Sequence, residues 1–254
     1  MIKILFQNVS FQYPDMENPV FHNLNLELPG GITSLIGQNG TGKSTLLLLA
    51  GGSLLPVKGR IFIEGIDTAD LRDERKRQEY ISFVFQNMEF ETDETIESLL
   101  NFVYENGFHE EKSDDFIRQL IAVFELGKVL AKKTQEISKG ELQRTILAFS
   151  LLYGSKILLL DEPIFALEQY QKENAMRFLS DYAVKHKISI FYSVHELDIS
   201  EKYSDYILLF YKHKTPELGL TREMFVKEKI EQAYEVPFSM LKKKDSLYRE
   251  WLKS

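Results

Sequence analysis

The chain contains no cysteine. Disulfides, thiolate nucleophiles and cysteine-ligated metals are therefore excluded. Long apolar runs are missing as well. The best two, around residues 46–57 and 149–160, are broken by Gly51-Gly52, by Pro56 or by Gly154-Ser155-Lys156. Neither reaches the roughly 18–20 residues needed to cross a bilayer. The opening stretch Met1-Ile2-Lys3-Ile4-Leu5-Phe6-Gln7 lacks the apolar core and cleavage site of a signal peptide. These absences lead to the expectation of a soluble, cytoplasmic protein whose membrane role, if any, runs through a partner. Positive charge is in deficit, with a net charge of −7. General nucleic-acid binding needs a basic footprint, so no nucleic-acid partner is expected. There is no internal repeat, no low-complexity segment and no sustained heptad pattern. What remains is 254 residues, 44% of them hydrophobic. That suffices for one large α/β domain with a proper core.

The most informative stretch is Gly37-Gln38-Asn39-Gly40-Thr41-Gly42-Lys43-Ser44-Thr45. It fits G-x-x-x-x-G-K-[ST], a loop that cradles phosphates. Its surroundings fit too. Ile32-Thr33-Ser34-Leu35-Ile36 reads as a buried strand, and Leu46-Leu47-Leu48-Leu49-Ala50 are good helix formers. Glycines let backbone N–H groups turn toward an anion, and the new helix points its free N–H groups and positive dipole end to the same place. Lys43 is expected to reach the β- and γ-phosphates, and Ser44 to offer its hydroxyl to Mg²⁺. The competing reading is a glycine-rich turn that merely precedes a helix.

Around this unit, residues 2–13 and 20–28 alternate as strands, and Pro29-Gly30-Gly31 forms a turn. An antiparallel N-terminal sheet is expected to feed the loop strand. Further strands are read at residues 60–65 and 80–85. Residues 92–133 change character, with two amphipathic helical patterns at about 94–105 and 114–126. They suggest a helical subdomain inserted at about 92–145. Strands return at 157–160, 188–192 and 206–210, with a helix near 169–186. A last helix is expected near 222–234, followed by a solvated tail carrying Lys242-Lys243-Lys244. The expected organisation is one domain over 1–240 and a tail over 241–254.

Ile157-Leu158-Leu159-Leu160-Asp161 delivers an acid at a strand end, where ligands sit in parallel sheets. Asp161 is the expected Mg²⁺ partner, and Glu162 is placed to orient or deprotonate an attacking water. An acidic turn without function is the alternative for Asp161-Glu162-Pro163 alone.

Taken in order, these segments resemble the ATP-binding-cassette ATPases over nearly the whole chain. Gly37–Thr45 matches the family's phosphate loop. Ile137-Ser138-Lys139-Gly140-Glu141-Leu142-Gln143-Arg144 resembles its signature motif, L-S-G-G-Q-x-Q-R, and Ile157–Pro163 its hydrophobic strand with Asp-Glu-Pro. Gln86 looks like the Q-loop glutamine, His195 like the switch histidine, and Tyr13 like the aromatic that stacks on adenine. The resemblance implies the family's fold: a phosphate-loop core with a parallel sheet, an antiparallel β-subdomain and an inserted helical subdomain. It also implies ATP hydrolysis with Mg²⁺. ATP-binding candidates are Tyr13, Gly37, Asn39, Gly40, Thr41, Gly42, Lys43, Ser44, Thr45, Gln86, Ser138, Gly140 and Glu141. Ser44, Gln86 and Asp161 are expected at the metal. Glu162, His195 and Lys43 are expected to carry the chemistry.

Three positions depart from the pattern. Lys139 replaces a signature glycine and implies strain if that position needs φ > 0, or added charge near phosphate if it does not. Glu141 replaces the signature glutamine, putting a carboxylate near the facing nucleotide. Glu168 stands where the family has Asp. The implied function is the nucleotide-binding subunit of a transporter. Its expected partners are a second copy arranged head to tail, a separate membrane permease and, for an importer, a substrate-binding protein. The chain would then sit at the inner face of the membrane. Residues 220–223 and 230–236 resemble the tail of ATPases serving metal-chelate importers. The segment Asn87-Met88-Glu89-Phe90-Glu91, with the helix start at Glu94, is the expected permease-docking cleft. A soluble repair, translation or cofactor-assembly ATPase, and an exporter subunit, remain open alternatives.

Overall fold

In the computed structural model, residues 3–71 and 73–241 are described. The Lys242-Lys243-Lys244 tail lies outside them. Strands β1 (Ile4–Phe11) and β2 (Phe21–Leu28) each bury one face, and the alternation slips by one residue where the pairing register shifts, near Asn8 and Asn23, both in left-handed geometry. β3 (Ile32–Ile36) is buried at every residue and runs into the glycine loop and α1 (Lys43–Ala50). β4 (Lys58–Ile63) and the short β5 (Ile66–Asp67) complete an antiparallel sheet in the order β2-β1-β4-β5.

α2 (Glu74–Tyr80) leads into β6 (Ile81–Val84). The helical subdomain holds α3 (Ile96–Asn106), α4 (Asp114–Val123) and the start of α5 (Lys139–Leu152). Thr95 and Ser113 cap the first two with side-chain oxygens, which is why those helices begin where they do. α5 runs through residue 145, so one continuous helix ties the subdomain to the core. β7 (Ile157–Asp161), α6 (Gln169–His186), β8 (Ser189–Ser193), α7 (Leu197–Tyr203) and β9 (Tyr206–Leu209) follow. The chain closes with β10 (Glu217–Leu220), α8 (Thr221–Met224) and α9 (Lys227–Tyr234).

The main sheet has the order β10-β9-β3-β8-β7-β6, parallel except for the β10–β9 pair. Its central strands are buried on both faces, and their side chains divide between two cores. Ile157, Leu159, Phe191, Leu35 and Leu208 join α1 and the antiparallel sheet. Leu158, Leu160, Ile190, Tyr192 and Ile36 join the helical side. This two-sided burial explains the near-continuous apolar runs in the sequence. Loop, acid and histidine all lie at the C-terminal ends of β3, β7 and β8.

Several elements differ from the sequence expectation. The helix expected near 222–234 is two helices, because Phe225 leaves helical geometry and Val226 is extended. β5, α2, α7 and β10 were not expected. All four are short, and β10 is recruited by pairing with β9 rather than by its own pattern.

Candidate functional site

β3 ends at Gly37, whose φ is 142°. A Cβ there would stand 2.6 Å from the Phe210 carbonyl oxygen, so only glycine lets the loop leave the sheet past β9. Gly40 and Gly42 also have positive φ, 76° and 101°. Gly42 is the N-cap of α1, and no side chain bonds the helix's first amides. N–H groups at a helix start have no partner within the helix, which suits them to anion binding. Thr41 Oγ1 donates to the Gln38 carbonyl at 2.8 Å and holds the curl closed.

Lys43 is buried, and its ammonium donates to the carbonyls of Gly37 and Gln38, both at 2.8 Å. Burial lowers its pKa from the usual lysine value, and the charges of Glu162 and Asp161 oppose that. The loop thus stores a cation in its own carbonyl cage.

Asp161 closes β7 and pairs in register with Ser193 at the end of β8. The Ser193 hydroxyl donates to Asp161 Oδ1 at 2.5 Å and accepts the Glu162 N–H at 2.9 Å. Glu162 turns into left-handed geometry, φ 50°, which brings its carboxylate 2.9 Å from His195 Nε2. That hydrogen bond is the main reason the Glu162 pKa falls below the usual carboxylate value. Lys43 and Gln86 assist, and burial opposes. Glu162 is therefore ionised at neutral pH, oriented by His195, and equipped to accept a proton.

Tyr13 donates to or accepts from Thr45 Oγ1 at 3.1 Å and meets Phe11 edge-on at 4.9 Å. Its ring is thus pinned beside α1. Tyr13, Asn39 to Thr45, Gln86 and Glu162 line one cavity of about 770 Å³. Asp161 and His195 reach it through their bonds to Ser193 and Glu162.

The signature residues are elsewhere. Ser138, Gly140 and Glu141 do not line that cavity. They start α5. Ser138 Oγ accepts the Glu141 N–H at 3.3 Å, while the Glu141 carboxylate accepts the Ser138 N–H and hydroxyl, each at 2.8 Å. This is a capping box, and the Ser138 backbone N–H leads the lowering of the Glu141 pKa. The Glu141 carboxylate is thus engaged in closing the helix start. A Cβ on Gly140 would stand 2.9 Å from the Ala166 carbonyl oxygen, so the helix start touches the loop after Glu162. Lys139 is an ordinary first helical residue without positive φ, which removes the strain reading, and its ammonium pairs with Glu89 at 3.2 Å. Glu168 sits at the N-cap of α6, its N–H donating to Gln171 Oε1 at 3.2 Å.

In the expected docking segment, Phe90 is half-buried and packs toward Phe149 of its own chain, with ring centroids 6.3 Å apart, and Met88, also half-buried, packs on the same core.

Several residues at or beside the cavity escaped the sequence reading. Ser193 sits two positions before His195, and only strand register shows that it faces Asp161. Tyr234 accepts the Gly37 N–H at 3.1 Å, and Glu235 accepts from Gln38 Nε2 at 3.2 Å. Residues 211–216, which also line the cavity, lie in a loop with no periodic signal.

The family model described as ABC transporter matches residues 21–165. A relative from Archaeoglobus fulgidus, named a putative ABC transporter ATP-binding protein, is 33% identical over 89% of this chain and 94% of its own. A relative from Oenococcus oeni, named an energy-coupling factor transporter ATP-binding protein, is 30% identical over 89% of this chain and 82% of its own. A solved dimeric ATP-binding cassette, in a post-hydrolysis state bound to ADP and phosphate, superposes with a TM-score of 0.75 at 22% identity, over 86% of this chain and 99% of that one.

Proposed function

The chain belongs to the ABC transporter family, as one of its ATP-binding and ATP-hydrolysing subunits, and from that premise we propose how its residues divide the work. The loop amides from Asn39 to Thr45, with Lys43, hold the phosphates of ATP, and Tyr13 offers its ring to the base. Glu162 takes the proton of the attacking water, and His195 holds Glu162 and that water in place. Asp161, Ser44 and Gln86 would hold Mg²⁺, which supplies charge neutralisation at the β- and γ-phosphates. The donor set fits, since all three present hard oxygens. Among the described residues no trio of acids and histidines forms a protein-only metal cage. Mg²⁺ characteristically binds through one or two carboxylates shared with phosphate.

The observation that carries the assembly is the separation of signature and cavity. Ser138 and Gly140 begin a helix, a ready anion site, yet do not line their own chain's cavity. We infer a head-to-tail pair in which each chain's α5 N-terminus closes the nucleotide of the other. Among the described residues no helix is long and apolar enough to cross a membrane. We propose that the pair drives separate permease subunits. Import is the direction we propose, because a permease on separate chains is the common arrangement of this family's importers; the tail pattern of residues 220–223 and 230–236 adds a weaker hint. Under import, a separate binding protein would deliver the cargo.

Mixing two inactive chains tests the assembly. Lys43→Ala spoils the loop half of a site, and Ser138→Arg spoils the signature half. In a head-to-tail hybrid one site keeps both native halves, so ATPase activity should appear on mixing. A silent mixture contradicts the shared site. Direction is tested by co-reconstitution with the permease in vesicles: ATP-dependent uptake supports import, and extrusion contradicts it.

A further inference from the structure

The C-terminal segment reaches the base of the phosphate loop. α9 is anchored by Ile230 and Ala233, both fully buried, and its last residue is Tyr234. The Tyr234 hydroxyl accepts the N–H of Gly37 at 3.1 Å. The next residue, Glu235, leaves the helix in left-handed geometry, φ 55°. Its carboxylate accepts from Gln38 Nε2 at 3.2 Å and lies 3.8 Å from Lys212 Nζ. Lys212 is itself one of the residues that line the cavity. Two consecutive residues at the end of α9 thus hold two consecutive residues of the loop, and Glu235 also pairs with a cavity-lining lysine.

The Gly37 position is constrained from every side. Its carbonyl accepts from Lys43, its N–H is held by Tyr234, and Phe210 backbone blocks any Cβ. A lysine that moves to phosphate gives up its carbonyl partners. The Tyr234 bond, on the N–H side of Gly37, is then a side-chain contact that still holds the residue. Burial pushes the Tyr234 pKa up to about 12, so the phenol keeps its proton at working pH. The Gly37 N–H is buried, and a buried donor without its acceptor is costly.

Resting on the phosphate-loop reading of residues 37–45, we propose that Tyr234 and Glu235 are positioning residues of the ATP site, and that docking of α9 is energetically coupled to nucleotide occupancy. The coupling must be reciprocal. If the α9 contact raises ATP affinity by some factor, ATP raises the docking of α9 by the same factor.

The test uses the full chain. Tyr234→Phe keeps the ring in its place and removes only the hydroxyl. ATP affinity is measured by calorimetry, and turnover at saturating ATP by phosphate release. Amide hydrogen exchange over residues 227–235 is followed with and without ATP. The expected result is ATP binding weakened on the order of tenfold, with turnover at saturation kept. In the native chain ATP should slow exchange across α9, and in Tyr234→Phe that nucleotide dependence should vanish. Glu235→Ala should weaken binding by a smaller factor. Native ATP affinity in Tyr234→Phe overturns the proposal, even if the variant melts earlier, because that is a structural role alone. An α9 exchange rate indifferent to ATP in the native chain overturns the coupling. Lys43→Ala separates the two levels. If it loses ATP while Tyr234→Phe does not, only this inference falls. If it binds ATP normally, the loop reading falls with it.

Discussion

Ser193 gives its hydroxyl proton to Asp161 across 2.5 Å, and the same oxygen takes the N–H of Glu162. One buried serine therefore sets the rotamer of the expected metal-holding acid and the backbone turn of the expected base. Glu162 in left-handed geometry is unfavourable for a non-glycine residue, and the Ser193 bond is one contact that holds it there.

Ser193→Ala should lower turnover by about tenfold or more, as expected when a buried hydrogen bond to a charged group is lost. The Mg²⁺ concentration for half-maximal activity should rise with it. ATP binding without Mg²⁺ should stay near native, and Ser193→Thr should restore much of the loss. A native Mg²⁺ dependence in Ser193→Ala would remove the serine from the site.

The Glu162 carboxyl has a signed pH prediction. Its folded pKa lies below the usual value, chiefly through His195. The His195–Glu162 bond is therefore fully present above the usual carboxylate pKa and is lost as pH falls through the lowered folded value. His195→Ala removes the leading cause, so the Glu162 titration should move upward, toward the ordinary carboxylate range. Carbon-13 NMR of labelled glutamate checks this. An unmoved or lower titration would contradict the contact.

Lys43→Ala should cost ATP affinity and turnover together, by about tenfold or more in affinity. The lysine's charge offsets phosphate in a partly desolvated site. Equilibrium ATP binding and steady-state hydrolysis read the two losses, and near-normal hydrolysis would contradict the phosphate-loop role.

Gly140→Ala makes a counterintuitive case. Alanine ordinarily favours a helix by about 1 kcal/mol over glycine. Here the added methyl would meet the Ala166 backbone oxygen at 2.9 Å, and a carbonyl in a fixed loop yields little. The variant should melt at a lower temperature than the native chain, and its ATP-dependent pairing should weaken. A raised melting temperature by calorimetry would show that the contact relaxes freely.

Much of this was legible in the sequence because the signals were local. The glycine loop between strand and helix, the apolar strand ending at Asp161, and the amphipathic runs at α3 and α4 each stand within a short window. Ser193, Tyr234 and Glu235 were not legible, because each acts across a fold contact that no local pattern encodes. Ser193 needs the β7–β8 register, and Tyr234 lies 197 positions from Gly37. Glu141 shows what motif matching leaves out: its place in the signature put a carboxylate near a facing nucleotide, and its spacing from Ser138 also makes a capping box within the chain.

Glu162→Gln keeps the shape of the side chain and removes the base. Turnover at saturating Mg-ATP should fall roughly a hundred- to ten-thousand-fold, while ATP affinity stays near native. Sedimentation of the same sample should show the chain shifting from monomer to dimer as Mg-ATP is added. Unimpaired hydrolysis in Glu162→Gln would contradict the catalytic assignment on which the rest depends.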